Sequence, residues 1–117
     1  MQRFLDQMKA KGQEPTENAI VGWLNADLFV SGLVAAGPNF SQKGLIDAIN
    51  TKLTAFTADG MLPPVDWSKA HTELVRCFTM SQIKDSAFVP AFTTGDSPFI
   101  CPVEKDGKLV NEPIGTT

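Results

Sequence analysis

Cys77 and His71 are the side chains of this sequence that come nearest to a nucleophile and its base. The sequence offers little to activate them. Cys77 lies within a predicted strand, and no glycine-rich segment or helix terminus that would lower the thiol pKa stands near it. A structural cysteine and a solvent-facing histidine are therefore the favoured interpretation.

Other patterns that carry chemistry do not occur in the sequence. One histidine and two cysteines, Cys77 and Cys101, match no zinc spacing. Asp59 and Asp66 bracket a loop rather than sharing a helix face, so they do not predict paired-acid catalysis. No phosphate-binding loop or dinucleotide-binding glycine pattern is found. We expect a protein that is not an enzyme, with no metal and no cofactor.

Charge excludes one class of partner. The 117 residues carry 10 basic and 13 acidic side chains, a net charge of -3, and the basic ones are scattered. A surface without a basic patch does not neutralise a row of phosphates, so no nucleic-acid partner is expected. The length is that of one domain, and a hydrophobic content of 43% is enough for a core.

Helical periodicity dominates the first half of the chain and predicts three helices, over residues 3–11, 17–36 and 42–55. Thr16 and Ser41 are the predicted N-caps of the second and third helices. Gly37, followed by proline, ends the second helix. Little polar face remains on this helix, so it should be the central, most buried one. Its polar interruptions argue against a membrane span.

An extended pattern follows in the second half and predicts strands over residues 74–83, 87–92 and 98–102. The first two flank Lys84-Asp85-Ser86 and should form an antiparallel hairpin. Pro90 has no amide hydrogen and therefore belongs at a sheet edge. Residues 103–117 are predicted to be a hairpin turned at Asp106-Gly107, or a disordered tail.

The order of helices and strands leaves the fold class open between two forms. An autonomous domain with helices first and strands afterwards would be α+β. The same order fits the closing part of a larger α/β protein. Asp6 stands where a secretion signal needs its apolar core, so we expect no export signal in this chain. The two cysteines allow one bridge or two buried thiols.

Several segments resemble the C-terminal third of type I periplasmic binding proteins, particularly the leucine/isoleucine/valine-binding branch. Residues 19–33 resemble a family helix in which a glycine–aromatic pair, here Gly22-Trp23, precedes small residues and an aliphatic run. The next turn and helix are similar at 35–49. Further similar segments are Gly60 to Trp67 with His71, Arg76-Cys77-Phe78, Phe88-Val89-Pro90 and Pro98-Phe99-Ile100-Cys101. The resemblance covers roughly residues 1–102 and rests on the order and spacing of weak patterns.

This resemblance implies an α/β fold of two lobes, joined by three crossovers, that closes on a small solute. The chain would be an incomplete part of it, lacking most of the pocket. The implied role is the solute-binding component of an ABC-type importer for amino-acid-like, branched-chain solutes. The intact receptor would dock on a membrane permease, in the periplasm or at the cell surface. Asn18 alone aligns with a cleft-lining position; the alternative is a first-turn polar residue that faces solvent.

The implied setting also bears on the cysteines and on assembly. An exported receptor lives in an oxidising compartment, which favours a Cys77–Cys101 disulfide. A partial receptor exposes surfaces that its missing lobe would cover, so we expect self-association. Two other functions stay open: a small self-associating interaction module, and a fragment of a sensory ectodomain with the same fold.

Overall fold

The computed structural model describes residues 1–93, 95 and 97–111, which divide into two units, Met1–Glu73 and a second unit that begins at Leu74. The first unit contains three helices, which are α1 (Gln2–Ala10), α2 (Glu17–Ala36) and α3 (Gln42–Lys52). In the second unit, β1 (Ser81–Lys84) pairs antiparallel with β2 (Ala87–Pro90), and β3 (Pro102–Lys105) pairs antiparallel with β4 (Lys108–Asn111). Helices thus precede strands, as the sequence pattern predicts.

Local capping explains where α2 and α3 begin. The Thr16 hydroxyl accepts a hydrogen bond from the Ala19 amide at 3.2 Å, and the Ser41 hydroxyl accepts one from the Gly44 amide at 3.1 Å. α2 ends at Gly37, whose φ of 86° suits a residue without a Cβ. The bounds of α2 coincide with the predicted range.

Gly32 sets the contact between α2 and α3. A Cβ at this position would lie 2.6 Å from Ile49 Cγ1 and 2.9 Å from Leu45 Cδ1, both on α3. The two helices therefore approach each other at a distance that only glycine permits. Gly32 is also the one residue of α2 that is fully buried.

Among the described residues, α2 has the largest share of buried and half-buried positions of the three helices, but it is far from covered on every side. Val21, Phe29, Val30 and Val34 are each more than half exposed. By length and composition alone, α2 also meets the criteria for a membrane span, contrary to the expectation that it is too polar. Its packing against α1 and α3 favours a helix that belongs to a folded protein.

α1 packs on α2 through aromatic contacts. Phe4 is 1% exposed and meets the Trp23 ring edge-on at a centroid distance of 5.7 Å. The Arg3 guanidinium lies over the same ring, 5.6 Å from its centroid. Trp23 is therefore a packing residue here.

α3 ends at Lys52, three residues before the predicted end at 55. The chain leaves the helix because its backbone groups find partners elsewhere: the Leu53 carbonyl accepts from the Trp67 amide, and Phe56 forms a two-bond antiparallel bridge with Val65. This bridge closes segment 53–67, which is named the crossover segment after the connection that the resemblance implies. Ala58, Asp59 and Gly60 in its tip all have positive φ values, and Ala58 is nonetheless 2% exposed.

In the second unit, both hairpins turn on two residues with positive φ. Asp85 and Ser86 connect β1 to β2, and Asp106 and Gly107 connect β3 to β4. Such conformations match the twist of the flanking strands, and Asp, Ser and Gly tolerate them. The second hairpin pairs Val103 with Val110, so Asn111 is a strand residue rather than part of a disordered tail. The rest of that predicted tail lies outside the described residues.

All three predicted strands are wrong in extent. Of residues 74–83, only the part from Ser81 onward is strand, and Phe78 makes a single bridge to Ile100 instead. Residues 98–102 contribute that bridge and no regular strand until Pro102. The predicted strand 87–92 ends at Pro90, although the Ala91 amide still donates to the Met80 carbonyl at 2.7 Å.

Cys77 and Cys101 form a disulfide beside the Phe78–Ile100 bridge. Cys101 is 4% exposed, and no other described residue from Leu74 onward is fully buried. Two-stranded hairpins are at best marginally stable in water. The covalent bridge is therefore the main constraint on this unit.

We predict opposite effects for alanine at two glycines of α2. Gly32→Ala should lower the free energy of unfolding by about 1–2 kcal/mol, because overpacking against Ile49 and Leu45 outweighs the helix-propensity gain. Gly22→Ala should raise it by about 0.5–1 kcal/mol, since nothing lies within 4 Å of an added Cβ. Denaturant unfolding followed by tryptophan fluorescence measures both, because Trp23 and Trp67 belong to the first unit and the chain has no tyrosine. Changes of the same sign would contradict this packing.

Removal of the disulfide should unfold the second unit selectively. Loop entropy predicts that the double variant Cys77→Ser, Cys101→Ser loses about 3.5 kcal/mol of unfolding free energy. Two hairpins do not supply that much stability on their own. Amide hydrogen exchange should show protection lost in β1–β4, with the tryptophan fluorescence of the first unit unchanged. Thr79→Ala, which is exposed and leaves the bridge intact, is the control. Unchanged protection in the serine variant would show that the strands hold without the bridge.

Candidate functional site

A cavity of about 430 Å³ lies between α2 and the segment that follows α3, within the first unit. α2 contributes Asp27 and Ser31 to its lining. The end of α3 and the crossover segment contribute the opposite wall, including Lys52, Phe56, Thr57 and Asp59. The close contact at Gly32 brings these two walls together, because it fixes α3 against α2 one residue beyond Ser31.

Two carboxylates line the cavity, and Asp27 is the less exposed of them. Its side chain is 16% exposed, and its Oδ1 accepts a hydrogen bond from Arg3 Nη2 at 3.1 Å. Since Arg3 also stacks on Trp23, the guanidinium links α1 to α2 at this edge of the cavity. The carboxylate is thereby held in one orientation.

Asp59 supplies the second carboxylate, from the tip of the crossover segment. A hydrogen bond from the Met1 ammonium, 3.2 Å from Oδ2, and the positive charge of that group lower the pKa of the Asp59 carboxyl. A lowered folded-state pKa means that this contact stabilises the fold above the carboxyl's ordinary pKa near 3.8. The stabilisation is lost as the pH falls through the lowered value.

Oxygen acceptors dominate the chemistry of this cavity. Two carboxylates, the Ser31 and Thr57 hydroxyls and the C-terminal end of α3 all present negative or partly negative oxygens. The Lys52 ammonium is engaged with the Ala35 carbonyl at 2.7 Å. Phe56 adds an apolar surface. The arrangement suits a small ligand with ammonium or hydroxyl donors and an apolar part.

Asn18, the residue predicted from the resemblance to line a cleft, is not part of this cavity. It is exposed in the first turn of α2. Nine residues separate it from Asp27, which places the two on opposite sides of the helix and about 13 Å apart along its axis. Its role in ligand contact therefore stays a prediction, independent of the cavity.

Cys77 and His71 do not form a catalytic pair. The disulfide leaves Cys77 without a thiolate, and His71 Nε2 lies 3.0 Å from Asn50 Oδ1. Nearby, the Ser68 hydroxyl and amide donate to Asp66 and lower the pKa of its carboxyl. Within the described residues, no group of three or more histidine, cysteine or acidic side chains is placed to hold a metal ion.

The structure puts residues 56–59 of the crossover segment on the cavity wall. Sequence reasoning did not identify Asp27, which in the sequence is only a polar interruption of an apolar helix. That interruption is the available signal: a charged residue on an otherwise apolar helix requires a partner.

We predict that the Arg3–Asp27 pair couples more strongly than a surface pair on the same unit. A double-mutant cycle with Arg3→Met and Asp27→Asn should give a coupling of about 1 kcal/mol, because Asp27 is largely removed from solvent. The Lys43–Asp47 pair on α3, exposed on both sides, is the matched control and should give at most about 0.5 kcal/mol. Urea unfolding measures both cycles; equal couplings would mean that the cavity edge is as solvated as the surface.

Comparison with known proteins gives one result. No curated protein and no solved structure matches the chain significantly. A model of a family described as periplasmic binding protein matches residues 1–87, which include all three helices, the crossover segment and the first hairpin turn. Mixed helices and small antiparallel sheets are compatible with the α/β class of such proteins. Because the match spans well over half of its residues, the chain belongs to the periplasmic binding protein family.

Proposed function

We propose that residues 1–102 are the C-terminal portion of a solute-binding receptor that serves an ABC-type importer. The observation that carries this proposal is the family match over residues 1–87. Periplasmic binding proteins bind small molecules and are not enzymes, and they act in the periplasm or outside the cell. The disulfide supports that location, because such bonds persist in oxidising compartments.

An amino-acid-like solute of the branched-chain type is the proposed ligand. Such a molecule carries an ammonium group that needs oxygen acceptors and an aliphatic side chain that needs apolar surface. The cavity lined by Asp27, Asp59 and Phe56 offers both kinds of group. Asn18 lies on the opposite side of α2 from Asp27 and is proposed as a separate cleft position, with an exposed amide that can donate to a carboxylate or accept from an ammonium.

The proposed mechanism is hinged closure without any bond made or broken. A solute stabilises the closed state only to the extent that it binds this state better than the open one. The closed receptor would then dock on the membrane permease, which reads the closed shape. Closure of this kind needs short, well-defined crossovers, and the Phe56–Val65 bridge gives segment 53–67 that character.

The gene supplies the first test. We expect an in-frame coding region upstream of residue 1 for a first lobe. A membrane helix and a signalling domain in the same reading frame would assign the protein to the sensory ectodomains instead. An isolated reading frame with neither would favour the small interaction module.

Binding by the complete product is the second test. Calorimetry should show leucine, isoleucine or valine bound tightly by the complete receptor, with no tight binding to the 117-residue chain alone. At a ligand concentration 100 times the Kd, stability should rise by about 2.7 kcal/mol. Asn18→Ala should weaken binding about tenfold, the cost of one lost hydrogen bond.

Asn25→Ala is the matched control for Asn18→Ala. Asn25 is exposed two turns further along the same side of α2 and should leave the affinity unchanged. Equal effects of the two substitutions would remove Asn18 from the binding site. Failure of the complete product to bind any amino acid would contradict the proposed ligand class.

A further inference from the structure

An amino-acid-like solute carries a carboxylate beside its ammonium, and the acceptor-rich wall of the cavity repels that carboxylate. Ionised carboxylates bind guanidinium and ammonium groups. Two cationic side chains are available: Lys52 lines the cavity, and Arg3 is paired with the lining residue Asp27. Their positions along α2 decide which of them recognises the carboxylate.

Lys52 lies too far from Asp27 to bind the carboxylate of an amino acid whose ammonium Asp27 holds. The Lys52 ammonium donates to the Ala35 carbonyl at 2.7 Å. Ala35 follows Asp27 by eight residues, which is about 12 Å along the helix axis. The two charged groups of an α-amino acid flank one carbon atom and lie within about 4 Å of each other. With a hydrogen bond of about 3 Å at each end, such a molecule spans about 10 Å at most.

Arg3 and Asp27 present opposite charges side by side, at the spacing that an α-amino acid requires. Arg3 Nη2 lies 3.1 Å from Asp27 Oδ1. A guanidinium has five N–H donors, and this contact uses one of them. The Arg3 side chain is 65% exposed, so its other donors are open to a ligand. Because the guanidinium also stacks on Trp23, these donors are held in one orientation.

Ser31 adds an acceptor for the ammonium, one helical turn beyond Asp27. Positions four apart lie on the same helix face, with about 5–6 Å between their Cβ atoms. Both residues line the cavity, and within the described part of the chain neither Asp27 Oδ2 nor the hydroxyl of half-buried Ser31 has a hydrogen-bond partner. Asp59, the other carboxylate of the lining, is already held by the Met1 ammonium. The open position for an ammonium is therefore between Asp27 and Ser31.

We propose that Arg3, Asp27 and Ser31 form a site for an α-amino acid zwitterion at the edge of the cavity. Asp27 Oδ2 and Ser31 Oγ accept hydrogen bonds from the ammonium, and the free donors of Arg3 bind the carboxylate. The aliphatic side chain then extends toward Phe56 on the opposite wall. An amine or a carboxylic acid alone satisfies only half of this site, so the paired charges determine specificity. The assignment rests on the proposed function, which supplies the class of solute.

Amide chemical shifts of the 117-residue chain test the site, because the cavity and all three residues belong to the first unit. The probes are leucine, which carries both charges, 3-methylbutylamine, which lacks the carboxylate, and 4-methylpentanoate, which lacks the ammonium. Titration to about 50 mM should give a Kd on the order of millimolar for leucine. The Kd of each single-charge analogue should be larger by at least about fivefold, because one lost charged hydrogen bond costs about that much.

Substitutions separate the two halves of the site. Arg3→Met should weaken leucine binding at least about fivefold and leave the amine within about twofold. Asp27→Asn should weaken both ligands, and Ser31→Ala should weaken both about threefold. Arg3→Lys, which keeps the charge, should recover part of the leucine affinity and serves as the second variant if Arg3→Met does not fold. Lys43→Met breaks the exposed pair with Asp47 and is the matched control, with every affinity within about twofold of the wild type.

The unequal response of leucine and the amine to Arg3→Met is a readout that lost packing does not produce. Equal losses for the two ligands would make Arg3 a purely structural residue and overturn the site. The absence of any shift on the cavity wall at about 50 mM leucine also overturns it, whatever the complete product binds. A complete product that binds no amino acid contradicts the proposed function instead, so the two failures are distinguishable.

Discussion

The close approach of α2 and α3 at Gly32 determines most of the first unit. A side chain there would collide with Ile49 and Leu45, so the contact exists only because the residue is glycine. With α3 held at this distance, the Lys52 ammonium reaches the Ala35 carbonyl, and the chain leaves α3 directly into the Phe56–Val65 bridge. The cavity is the space that remains between that exit and α2. Its position thus follows from one missing Cβ rather than from the polar residues that line it.

The parts of this fold that could be predicted from sequence are those that local chemistry decides. The hydroxyls of Thr16 and Ser41 satisfy amides of their own helices, and the Asp106-Gly107 pair adopts its turn conformation with little help from the rest of the chain. Long-range partners decided the rest. α3 stops early because Leu53 and Phe56 bond to residues beyond position 60, and the strand predicted from 74 is broken because Phe78 pairs with Ile100. Spacing along the chain contains no information about such partners.

Candidate site residues divide in the same way. Asn18 came from a resemblance, and its position at the start of α2 neither brings it into the cavity nor argues against a cleft. Asp27 and Asp59 were found only from coordinates, since nothing local connects them across 31 intervening residues of other chemistry. The apolar character of α2 also misled: an all-round apolar helix predicts burial on every side. In the described residues α2 is packed at Trp23 and Gly32, while Phe29 and Val30 are more than half exposed.

The disulfide connects residues beyond the family match to residues within it. The match ends at residue 87, inside the first hairpin, whereas the disulfide joins Cys77 within the matched region to Cys101 beyond it. The Phe78–Ile100 bridge crosses the same limit with two backbone hydrogen bonds. A segment fixed to the matched region both covalently and through its backbone is not an independent appendage. Residues 88–111 therefore belong to the same unit as residues 74–87, the last part of the matched region.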